Sequence, residues 1–254
     1  MLHILTRSLV LCALLLTTAC ASSRHNDNDT AQAQEEAEPA VFNPDPFEGF
    51  NRKVFAFNLK LDRWVLKPVA KGYDAVAPGF VKTGVSNFFS NLGEITNIVN
   101  DALQWKWLQA SNDTGRLLLN STIGIGGLFD VASVAGLEES PGEDFGQTLG
   151  RWGFKRGPYI MLPVLGPTTV RDGLGIPVNS LLDPVYYLED PEARYGLVAL
   201  RLTSQRADLL EVEKLASGDF YLFVRDTYLQ RRDYLERDGE ISDSYEDDFG
   251  SDEF

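Results

Sequence analysis

The apolar segments of this chain are short, helical in spacing and broken by Gly or Pro, and none after Cys20 reaches the ~18–20 residues a membrane-crossing helix needs. A helix of about ten residues is ~15 Å long, half of a ~30 Å hydrocarbon core. Segments of that length suit an ordinary helical domain with kinks. They equally suit a domain that sits in one leaflet, and composition leaves both open.

Cys20 closes the run Leu14-Leu15-Leu16-Thr17-Thr18-Ala19, after the single firm positive charge at Arg7. A short apolar h-region ending at small residues marks a secretory signal over residues 1–19. A Cys at the cut, between Ala19 and Ala21, resembles the lipobox of bacterial lipoproteins, which implies cleavage before Cys20 and acylation of that residue. The alternative is an ordinary signal peptide with an incidental Cys. One acyl chain anchors marginally and a second makes anchoring stable. Ala21, rather than an aspartate, favours sorting to the outer membrane.

Residues 20–44 read as a lipidated Cys and a flexible polar tether, 45–237 as one helical domain, and 238–254 as a disordered acidic tail. The formal charge of -14 makes the chain a poor nucleic-acid binder. His3 and His25 precede the domain, as do Cys12 and Cys20, so the domain has neither residue type. That removes Ser-His and Cys-His catalysis, the usual zinc sets and any disulfide framework. No cofactor is expected and no enzyme chemistry is indicated.

The first helix is expected to start at Asp45-Pro46-Phe47-Glu48, with an acid at the N-cap, Pro at N1 and Glu at N3. Phe47, Phe50, Val54, Phe57, Leu61 and Val65 share one stripe. Asn51, Asn58 and Asp62 stack along its edge. Such groups either tie the helix to a neighbouring backbone or line a wet channel. Separate helices are expected over 79–90 and 93–108, then 113–122, and two long ones over 190–215 and from 217 to about 237. Residues 158–165 read as at most a short extended piece, and the Gly124 to Gly127 cluster as close helix packing. Arg151, Lys155 and Arg156, beside Trp152, Phe154 and Tyr159, suit either lipid-phosphate contact or surface ion pairing.

An ordered set of stretches resembles the VacJ/MlaA family of outer-membrane lipoproteins. It begins with Asp45-Pro46-Phe47-Glu48-Gly49-Phe50-Asn51-Arg52 and Phe57-Asn58 with Asp62. It continues through Ser86 to Leu92, Asn120 to Gly124, Gly127 to Asp130 and Phe145 to Gly150. It ends with Gly157-Pro158-Tyr159, Leu162-Pro163, Gly166-Pro167 and Arg171-Asp172-Gly173. The resemblance implies an all-α domain, a ring of short amphipathic helices embedded in one leaflet of the outer membrane and facing the periplasm. It implies association with a trimeric porin, and transfer of phospholipids misplaced in the outer leaflet to a periplasmic lipid-binding carrier. It places Asp45, Pro46, Asn51, Arg52, Asn58, Asp62, Gly166, Pro167, Arg171 and Asp172 among the structural motif residues. The competing readings are a structural porin-associated lipoprotein without transport and an envelope lipid hydrolase. The hydrolase lacks both a histidine base and a Gly-x-Ser-x-Gly motif.

Overall fold

The computed structural model describes residues 43–240. The signal, Cys20, the tether as far as residue 42 and the tail from residue 241 lie outside the described residues. Helix α1, Glu48–Leu61, runs through a π-turn, Asp62–Leu66, into α2, Lys67–Val76. Helix α3 is Gly79–Leu103, α4 is Trp107–Thr122, α5 is Val131–Val134 and α6 is Phe145–Arg151. A hairpin of β1, Tyr159–Leu162, and β2, Gly166–Thr169, precedes α7, Val170–Leu182. A 3-10 turn, Pro184–Tyr187, leads to α8, Pro191–Val212, and the last helix is α9, Phe220–Glu236.

The fold is helical, as expected, but several boundaries differ. Residues 79–103 form one helix, not two, because Gly93 lies on an open face and costs only about 1 kcal/mol of helix propensity. The break comes at Gln104–Lys106, where Trp105 takes a positive φ of 66°. Asp45 is not the N-cap of α1. That place falls to Phe47, without a side-chain cap, while the Asp45 carboxylate turns inward to accept from Asn51 at 2.8 Å and from the Tyr221 hydroxyl. The extended piece at 158–165 becomes β1 and its turn. Its partner β2 has no alternating pattern to reveal it; the strands pair antiparallel from Tyr159 opposite Thr169 to Leu162 opposite Gly166. Residues 238–240, counted with the tail, form a turn in which the Gly239 N–H donates to the Tyr234 carbonyl at 3.0 Å.

The elements touch in a closed circuit: α1 on β1, β1 on β2, β2 on α7, α7 on α6, α6 on α3, α3 on α8, and α8 on α2. Helix α9 braces β2 and α6, and α4 packs along α3. The apolar core is small. Tyr159, Met161 and Tyr221 form it, flanked by Val54, Phe55 and Leu229 among others. Among the described residues nine apolar side chains are buried, four of them alanines, against nineteen polar or charged ones. Hydrophobic burial of that size cannot alone organise the domain, so polar pairing does much of the work.

Candidate functional site

The helices are amphipathic in the inverse sense. On α3 the buried side chains are Asn91, Glu94, Asn100 and Asp101; on α4 they include Asp113, Arg116 and Asn120. Arg116 meets Glu94 at 3.1 Å and donates to the Leu137 carbonyl at 2.7 Å. Burial raises the Glu94 pKa, with Asp113 adding to the shift against the bonds from Asn97 and Arg116. Burial also pushes Asp130 upward, but bonds from Ser133 and Asn120 and the Arg116 charge outweigh it and hold Asp130 at about 2. Asp101 and Asp113 are fully buried beside one another. Burial first, then the Asp113 and Glu143 charges, lift Asp101 to about 8.

Large apolar side chains face outward instead. Trp64 is 81% exposed, Phe80 79%, Leu108 88% and Val134 88%, with Phe50, Phe57, Trp105, Trp107 and Phe129 also exposed. Of the six residues of the α1 stripe, Phe47, Phe50, Phe57 and Val65 are exposed, whereas Val54 packs against the apolar core and Leu61 is half-buried. An exposed apolar surface on this scale is that of a membrane or interaction surface, not of a soluble monomer. Among the described residues no helix is long and apolar enough to cross a membrane.

Cavities lie along α3. One of about 520 Å³, open on one side, is bordered by α3, α7 and α8, with Phe89, Leu92 and Ile176 among its apolar lining and Ser86, Thr96, Asn179 and Arg201 among its polar lining. A smaller polar one of about 160 Å³ shares Ser86 and Ser90 with it and adds Glu94, Arg116 and Asp130. A third, of about 590 Å³, shares Asn87 and Asp130 with the second and is mainly apolar, lined by Phe80, Leu128, Phe129 and Val134. The three therefore adjoin one another along α3. Arg201 clasps Asp183 with two bonds, of 2.5 and 3.1 Å, and lies over the Phe89 ring at 4.9 Å. Among the described residues no group of carboxylates is placed to hold a metal ion.

The motif residues serve the frame of this circuit. The Asn51 amide donates to the Tyr159 carbonyl at 3.1 Å and its oxygen accepts from the Met161 N–H at 2.9 Å. Asn58, two helical turns on, repeats the pattern with the Leu162 carbonyl at 2.9 Å and the Val164 N–H at 2.8 Å. Asp62 ends the line by receiving Arg206 of α8 in a two-point pair, at 2.6 and 2.9 Å. This is the backbone-tying alternative: side chains of α1 satisfy the strand edge that β2 leaves open. Arg52 pairs with Glu48 and Asp219 and lies over Tyr221, and Pro46 sits in the turn before α1. Gly166 needs its φ of 88° to leave the hairpin turn, and Pro167 follows it opposite Met161.

Arg171 and Asp172 open α7 within a buried charge cluster. Asp172 accepts from Arg171 at 3.0 Å, Arg232 at 2.9 Å and the Tyr228 hydroxyl at 2.9 Å. Burial opposes ionisation there, yet Arg232, Thr169 and Arg171 together hold Asp172 below the usual carboxylate range. Of the three basic residues near Trp152, Arg156 is engaged with Asp233 and Glu236, at 2.5 and 3.0 Å. Arg151 and Lys155 are exposed. The Asp101–Asp113 pair, Glu94–Arg116 and the Arg201–Asp183 clasp were not anticipated from the sequence. Their signal was present as polar residues at helical spacing: 91, 94 and 101 on α3, and 113, 116 and 120 on α4.

A circuit of helices and one hairpin, with mostly polar buried side chains, many exposed apolar ones and adjoining open cavities of mixed character along α3, defines a helical protein built to meet an apolar surrounding. The profile of the MlaA lipoprotein family matches residues 43–235. The chain belongs to that family. It is 37% identical over 202 residues to proteins of Escherichia coli and Shigella flexneri, each named intermembrane phospholipid transport system lipoprotein MlaA, covering 78% of this chain and 80% of theirs. An uncharacterized protein of Rickettsia typhi is 36% identical over 206 residues, covering 81% and 80%. A solved structure described as the structural basis for maintenance of bacterial outer membrane lipid asymmetry matches with a TM-score of 0.68 at 37% identity. It covers 76% of this chain and 100% of that one.

Proposed function

We propose that this protein withdraws misplaced phospholipids from the outer leaflet of the outer membrane and passes them to a periplasmic lipid-binding carrier, maintaining lipid asymmetry without breaking a bond. The observation that carries the reading is the row of adjoining cavities along α3, part polar and part apolar, inside a domain whose outside is apolar. A head group crossing bare hydrocarbon pays several kcal/mol for burying charge. Hydroxyls and amides such as Ser86, Ser90, Asn179 and Gln205 replace water around it, while acyl chains keep to Phe89, Leu92 and the apolar exterior. The exposed aromatics of α1 to α4 seat the domain in one leaflet, since its helices are unsuited to crossing. Acylated Cys20 holds the chain to the outer membrane, a trimeric porin flanks it, and direction is imposed by the partners. Arg151 and Lys155 contribute contacts to lipid phosphates at the membrane interface.

The test is lipid capture by purified, delipidated protein from phospholipid vesicles. The reading requires bound, intact phospholipid. Protein that binds none would instead be a structural companion of the porin, and protein that releases fatty acid would be a hydrolase.

A further inference from the structure

We propose that the cavity between α3, α7 and α8 admits zwitterionic head groups, with a phosphate and an ammonium, in preference to anionic ones. Arg201, Asp183 and Asp208 set that preference. The proposal rests on the transport reading above.

Three charged residues line this cavity: Arg201 on one side of the balance, Asp183 and Asp208 on the other. The wall therefore carries one net negative charge. Arg201 and Asp183 form a two-point pair whose side chains are only partly covered, 24% and 27% exposed. Burial disfavours the Asp183 carboxylate, but the Arg201 bonds and the Val185 N–H hold it below the usual range, so both members are charged. Asp208 lies about two α-helical turns beyond Arg201 on α8, is exposed, and makes no ion pair among the described residues. The hydrogen-bonding capacity of Arg201 is incomplete as well, since its buried Nε has no acceptor.

A phosphate entering here meets a guanidinium already committed to a carboxylate. It can share or displace Asp183, and guanidinium–phosphate pairing is geometrically as good as the pair it replaces. The released carboxylate and Asp208 must then be compensated, because unpaired charge in a partly desolvated wall is strongly disfavoured. A head-group ammonium supplies that compensation. A zwitterion is thus the charge complement of an opened Arg201–Asp183 pair. A glycerol head group brings the same phosphate with no cation, and leaves two carboxylates facing one another's field. Phe89, under the guanidinium, keeps Arg201 at the wall while its partners exchange.

The experiment offers the full-length protein vesicles of equimolar phosphatidylethanolamine and phosphatidylglycerol and measures the ratio captured. The wild-type protein is expected to take the ethanolamine lipid in several-fold excess. Asp208→Asn, at an exposed position that does not disturb packing, should move the ratio toward phosphatidylglycerol by about tenfold. Arg201→Gln should reduce capture of both lipids, and Arg201→Lys should restore part of it. Equal capture of the two lipids by wild type, or a ratio unmoved by Asp208→Asn, overturns the inference and leaves transport standing. Capture of neither lipid by the wild-type protein overturns the transport reading and this one with it.

Discussion

The side-chain amide of Asn51 donates to the backbone carbonyl of Tyr159 at 3.1 Å, 108 positions along the chain. The same side chain accepts from Met161, so one residue of α1 completes the free edge of β1. Asn51→Ala would leave a buried carbonyl and a buried N–H without partners. It should lower stability by about 3 kcal/mol, against about 1 kcal/mol for Asn58→Ala, whose bonds are closer to the surface. Thermal unfolding in detergent of the two variants checks the order. Equal losses would mean that burial of the strand edge is not what the amides serve.

Stability should also depend on pH through Asp101. Burial and the charges of Asp113 and Glu143 raise its pKa to about 8, while Lys106 opposes them. The native state therefore holds a proton that the unfolded chain releases near the ordinary carboxylate value. The contribution is complete below about pH 4 and is lost as pH rises through about 8. The melting temperature should fall between pH 5 and pH 8, and Asp101→Asn should flatten that dependence. A variant as pH-sensitive as wild type would place the effect elsewhere.

Much of the fold was legible because the helices announce themselves by spacing and by breaks at Pro78 and Pro191. The inward direction of those helices was not. A rule that sends apolar residues to the core places the whole stripe of α1 inside, which holds for Val54 but not for Phe50 and Phe57; an apolar surrounding would reverse that preference for the exposed ones. Once reversed, Asn51, Glu94, Asp113 and Arg116 become the core positions, with the same spacing. The strand β2 stayed hidden because Gly166-Pro167-Thr168-Thr169 owes its extended shape to β1 and not to its own residues. The Arg201–Asp183 clasp joins positions whose proximity depends on how α7 and α8 pack, which periodicity does not reveal.

Two glycines of the domain should respond in opposite ways to alanine. A Cβ on Gly124 would stand 2.2 Å from the Phe129 carbonyl oxygen and 2.5 Å from that of Asn120. A Cβ on Gly93 would meet nothing within 4 Å. Gly124→Ala should fail to fold or lose several kcal/mol, as backbone cannot give way by such a distance. Gly93→Ala should gain about 0.5–1 kcal/mol of helix stability. Limited proteolysis reports the first through cleavage in the loop after α4, and thermal unfolding the second.

The basic residues near Trp152 should separate. Arg156→Glu would set a carboxylate against Asp233 and Glu236 and lower stability. Arg151→Glu with Lys155→Glu should leave folding intact, since both are exposed, and weaken photocrosslinking to phospholipid. Unchanged crosslinking in the double variant would remove these two residues from lipid contact.

The most direct test of the central claim is the phospholipid content of the outer leaflet in cells with and without this protein, read by surface labelling or by an outer-membrane phospholipase acting on exposed lipid. Removal of phospholipid by the protein predicts that its loss raises surface phospholipid and that re-expression lowers it again. An outer leaflet unchanged by the loss, together with ester cleavage by the purified protein in phospholipid vesicles, would contradict transport.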